Sequence, residues 1–120
     1  MVINPGERIH VITRKLIVSS FFREDEHQRF FAGVVKTSSE HALRAEGYEF
    51  VSVSPWKVID RRPEVRTCVF GIADAGLIIH VLPEAVKIEE LRYQVGRGYR
   101  MVLTDDSAFS MNMDEFHPKR

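Results

Sequence analysis

The 120-residue sequence holds a single cysteine and a single tryptophan, and its 17 basic side chains are matched by 17 acidic ones. A lone Cys68 excludes an intramolecular disulfide, so a cytoplasmic, reducing setting is the expectation. Zero net charge removes any general attraction to polyanions or anionic surfaces. No apolar run approaches the roughly 20 residues of a membrane-spanning helix. Residues 1–7 lack the basic segment and apolar stretch of a signal peptide, so no membrane association is expected.

Motifs of catalysis and metal binding are missing as well. There is no Gly-x-Ser-x-Gly elbow and no P-loop. His10, His27, His41, His80 and His117 lack the close spacing of a zinc site, with each other or with Cys68. Gly96-Arg97-Gly98 has Met101 at the third glycine position of a dinucleotide fingerprint and leads into a strand, whereas a phosphate cradle needs a helix N-terminus. The stretch from Asp105 to Glu115 fails as a calcium loop, because its sixth position is Ser110 and its twelfth is Phe116. No cofactor, metal or small-molecule ligand is expected, and a binding role is favoured over an enzymatic one.

What the chain does contain is an ordinary globular composition, 44% hydrophobic and 28% charged. At 13.9 kDa, one domain covering residues 1–120 could bury about two-thirds of its unfolded surface. Periodicity points to strands. Ile9, Val11 and Thr13 alternate within 7–14. Segments 30–36 and 42–53 flank a polar turn and predict a hairpin, with Gly47 marking a bend or bulge in the second arm. Pro55 and Pro63 bracket a short edge strand or loop. Residues 67–72 and 77–82 are two short β-branched strands around an Asp- and Gly-containing turn. Residues 84–91 suit one or two helical turns, and 99–104 and 109–113 are further strands. Residues 19–28 fit either a capped helical turn or a charged loop. The predicted fold is mainly β, a small antiparallel barrel or sandwich of about seven strands with one short helix.

The run Val69-Phe70-Gly71-Ile72-Ala73-Asp74-Ala75-Gly76-Leu77-Ile78-Ile79-His80-Val81 resembles the second motif of Sm and Sm-like proteins. Phe31-Ala32-Gly33-Val34-Val35, leading through a hairpin into a long bent strand, is similar to the first. The resemblance covers residues 30–82 and is shared with SH3-like barrels. It implies a five-stranded barrel, ring assembly and single-stranded RNA as a partner. Ala75-Gly76 stands where the family carries Arg-Gly, so the RNA-contacting arginine is unmatched.

Two surface segments are candidate sites. Trp56, Lys57, Arg61, Arg62 and Arg66 place four cations beside an indole, a pattern suited to phosphate contact and base stacking. Asp60 and Glu64 reduce the net charge of 56–66 to about +2, and a solvated edge explains the same residues as well. The doublets Phe21-Phe22 and Phe30-Phe31 put consecutive rings on opposite faces of a strand, so one of each pair could face outward and form an interface in a homo-oligomer.

Overall fold

The computed structural model describes residues 3–13, 28–53, 58–71, 77–95, 101–107 and 109–113. Among these residues lie nine strands and one 3₁₀ turn: β1 Arg8–Thr13, β2 Gln28–Ser38, β3 Ala42–Val53, β4 Val58–Arg61, β5 Arg66–Gly71, β6 Leu77–Leu82, the turn Ile88–Glu90, β7 Arg92–Val95, β8 Met101–Thr104 and β9 Ser110–Asn112. The mainly-β, antiparallel reading of the sequence holds, although among the described residues the strand pairings do not close into a barrel.

The larger sheet runs β4-β3-β2-β1-β6, with β5 also on β3. β3 is long enough to serve two neighbours on one edge. Its first half pairs with β5 and its second half with β4, while β2 covers the other edge along most of its length. The predicted hairpin is present with β3 starting at Ala42 as expected, but β2 runs two residues further, to Ser38, leaving Ser39–His41 as the turn. The register slips between Val35 and Thr37, so the bulge lies in β2 and not at Gly47. Gly47 faces Gly33 directly across the ladder. A Cβ at Gly47 would collide with the Ala32 carbonyl oxygen and the Gly33 Cα, both backbone atoms that cannot step aside. The glycine pair therefore lets β2 and β3 approach where the sheet coils.

Both faces of this sheet are covered, and alternation along each strand divides the core in two. Ile9, Val11, Phe31, Val35, Leu43 and Ala45 form one cluster with Ile3, and Cys68, Phe70, Leu77 and Ile79 of β5 and β6 pack against its margin. Ile12, Phe30, Ala32 and Phe50 point the other way, where Leu91, Tyr93, Met101, Leu103 and Met113 of the β7-β8-β9 sheet and its flanks close over them. Burying such a side chain contributes roughly 1.5–3 kcal/mol. Because β1 is sandwiched, four consecutive residues from Ile9 to Ile12 are buried.

One local expectation changes, and two features go beyond the sequence reading. The helical segment 84–91 shrinks to the 3₁₀ turn, with Val86 and Ile88 turned inward and Glu89 and Glu90 outward. The strands at 67–72 and 77–82 do not pair with each other, since β5 binds β3 and β6 binds β1. Strand β7, which the sequence reading passed over, forms the edge of the smaller sheet. Residues 19–27 lie outside the described residues.

Candidate functional site

The most unusual environment in the molecule surrounds His10. It lies directly opposite His80 in the β1–β6 ladder, at 0% exposure, on the face that meets the small sheet. Its Nε2 is hydrogen-bonded to the Tyr93 hydroxyl of β7. The phenol is the more acidic partner, so we assign Tyr93 as the donor and place the ring proton on Nδ1, which has no hydrogen-bond partner. Phe30 stacks on the imidazole at 5.9 Å, and Tyr93 in turn lies 5.2 Å from Phe30 and 5.1 Å edge-on to Phe50. The His80 ring is 6.1 Å away.

Burial, with the neighbouring His80 adding a smaller push, drives the His10 pKa down to about 3. Burial also pushes the Tyr93 phenol upward. Both groups are thus held neutral. A neutral imidazole with no exposure cannot reach a substrate, so this polar pair bridges the two sheets and is not a catalytic base. Among the described residues, no group of three or more His, Cys, Asp or Glu side chains could hold a metal ion.

The basic segment is taken up by contacts within the chain. Arg61 at the end of β4 stacks over the Tyr48 ring at 4.6 Å and donates to the Glu89 carbonyl. Arg66 of β5 pairs with Glu49 at 3.1 Å and Glu64 at 3.8 Å, while Arg29 of β2 reaches the same Glu49 carboxylate at 3.9 Å. These exposed pairs contribute little stability, but they leave Arg62 as the exposed cation of this segment whose side chain has no partner among the described residues. Trp56 and Lys57 lie outside the described residues, as do Phe21 and Phe22.

The aromatic-doublet interface requires correction at Phe30 and Phe31. Both rings are buried within the chain, at 4% and 3% exposure. Phe30 packs under the small sheet, and Phe31 meets Phe70 at 5.3 Å in the opposite cluster. Opposite faces was right, but neither face is open, because a second layer covers one and the coil of the sheet covers the other.

Open apolar surface lies instead at the strand edges. Among the described residues β5 and β6 each have one strand neighbour. Val69 of β5 is 64% exposed and Val81 of β6 is 50% exposed. Leu77, Ile78, Ile79 and His80 are only partly covered, and β6 carries no charged residue to block pairing. Sequence reasoning missed this edge because β6 reads as an ordinary core strand. Cys68, on β5, is partly covered, and burial, followed by the Glu49 charge, raises its pKa against the opposing pull of Arg66.

No family model, curated protein or solved structure matches this chain. No helix among the described residues is long and apolar enough to cross a membrane.

Proposed function

We propose that the protein is a non-enzymatic β module that assembles with further copies of itself through the outer edges of β5 and β6, each of which has one strand neighbour among the described residues. The observation that carries this reading is β6, a six-residue edge strand, Leu-Ile-Ile-His-Val-Leu, with no charge, proline or bulge to deter a partner. An edge of this kind is a template for strand addition. The occupant is a second copy because the chain also supplies the complementary element: β5 is equally long, is unpaired on its outer side among the described residues, and exposes Val69. Pairing one edge with the other would be heterologous and would close into a ring or extend into a fibre. The strand order β5-β3-β2-β1-β6 supports a fold related to the SH3-like and Sm-like meander. Single-stranded RNA is the weaker reading, since Arg61 and Arg66 already have partners.

Light scattering on the intact protein tests assembly. The wild type should exceed the 13.9 kDa monomer mass, and Val81→Lys and Val69→Lys, each at an exposed position, should return it to monomer without loss of secondary structure. A wild type that stays monomeric throughout the micromolar range refutes the proposal. For RNA, an unchanged anisotropy of labelled oligo-U at low salt would dismiss that alternative.

A further inference from the structure

Two turns meet at the start of β1 and enclose a cleft of about 460 Å³ lined by Pro5, Gly6, Glu7, Arg8, Leu82 and Glu84. That volume falls in the range of small-molecule sites. Its walls are pinned by backbone bonds. Gly6 N–H donates to the Val35 carbonyl at 2.8 Å and Val35 N–H to the Glu7 carbonyl at 2.9 Å, while Val86 N–H closes the second turn on Pro83 at 3.1 Å. Gly6 takes a φ of +93° to make the first turn, and a Cβ built there would meet nothing, so the backbone faces open space.

Arg8 is the ordered group in this cleft. Its Nε donates to the Val86 carbonyl at 2.7 Å, which orients the guanidinium at a part-buried position. Among the described residues no carboxylate lies within ion-pairing distance of it. Among the described residues its terminal N–H groups have no acceptor, which suits a fork for a planar anion. Glu7 spends one carboxylate oxygen on the Asn4 N–H at 2.6 Å, and Glu84 is exposed on the opposite turn with no partner of its own among the described residues. One oriented cation and two carboxylates line the same cleft, with exposed Pro5 as apolar wall and the buried Leu82 behind it.

We propose that this cleft binds a small zwitterion, a free amino acid or another short ammonium carboxylate, with its carboxylate on Arg8, its ammonium on Glu84 and Glu7, and its aliphatic part against Pro5. A simple anion would face two like charges, and a simple cation would face the guanidinium, so the charge arrangement selects a ligand that carries both signs. The site adjoins the end of β6 at Leu82 but does not rest on the assembly reading.

Amide chemical-shift titration of the intact protein tests it with three probes of nearly one shape: L-valine, isovalerate, which lacks the ammonium, and L-valinamide, which lacks the carboxylate. Valine should give saturable shifts at Gly6, Glu7, Arg8 and Glu84, with each analogue binding at least tenfold more weakly. Arg8→Gln should abolish the valine shifts. Because Arg8 also holds Val86, the exposed Glu84→Gln variant provides the second arm and should weaken valine severalfold while leaving isovalerate no weaker than in the wild type. Isovalerate binding as tightly as valine, valinamide doing so, or no saturable shift with any probe would each overturn the proposal.

Discussion

Acidification should destabilise this protein through one residue in particular. His10 titrates at about 3 in the folded state, against 6.5 for an ordinary imidazole. A depressed histidine pKa means that the folded state refuses a proton that the unfolded chain accepts. Its contribution to stability is therefore complete above pH 6.5 and is lost as pH falls from there toward 3. At pH 5 the unfolded imidazole is nearly all protonated and the folded one nearly all neutral, so linkage gives a loss of about 2 kcal/mol relative to pH 8. The slope at that point is about 1.3 kcal/mol per pH unit. Because His10 is fully buried, solvent screening takes nothing from this figure. Urea denaturation followed by circular dichroism at fixed ionic strength, from pH 8 to pH 5, measures it. His10→Gln keeps a neutral polar group at every pH, and should start less stable at pH 8 but lose about 2 kcal/mol less on acidification. Parallel curves for wild type and variant would show that the imidazole is not held neutral by the fold, and would refute the burial argument.

Tyr93→Phe removes the hydroxyl that donates to His10 and strands a buried ring nitrogen, so it should cost about 1–3 kcal/mol in the same denaturation assay. Adding His10→Phe to that variant should recover part of the loss, because an apolar pair leaves no polar atom unpaired. Gly47→Ala forces a Cβ into the Ala32 carbonyl and Gly33 backbone and should destabilise by about 3 kcal/mol, read as a lowered urea midpoint. At Asp105, burial alone would raise the carboxyl pKa, but backbone N–H groups of Lys87, Ser107 and Phe109 bind the charged form and hold it below its usual value of 3.8. This stabilisation is present above that value and lost as pH falls through the lower folded one, so Asp105→Asn should lower the thermal midpoint at neutral pH and flatten the loss below pH 4.

Strand positions were largely legible because alternation survives in β1, β2 and β3 whichever layers cover them. What alternation cannot report is how many layers there are. Phe30 and Phe31 show the difference: their opposite orientations follow from a two-residue repeat, whereas the burial of both follows from a second sheet whose residues lie some sixty positions further on. β7 went unread because Arg92-Tyr93-Gln94-Val95 is short and offers one buried residue, Tyr93, in an otherwise exposed strand. The helical expectation for 84–91 failed because only Ile88 and Leu91 share a helix face, while Val86, two residues before Ile88, is drawn into the core from a turn.

The candidate sites divide in the same way. Composition alone set the neutral charge, the single thiol and the absence of sequence-local catalytic motifs, since each depends on residue identity or short spacing. Only the tertiary structure decided which charges remain free. Glu49, whose partners Arg29 and Arg66 come from two other strands, takes up Arg66, a cation that looked available along the chain. It likewise set His10 opposite His80 across 70 residues of sequence, and brought Arg8 and Glu84 to one cleft. Residue types and local periodicity act over a few positions, and so can be read directly. Pairing register, burial and ion partnership depend on which distant strands become neighbours, and that is settled when the two sheets close on their shared core.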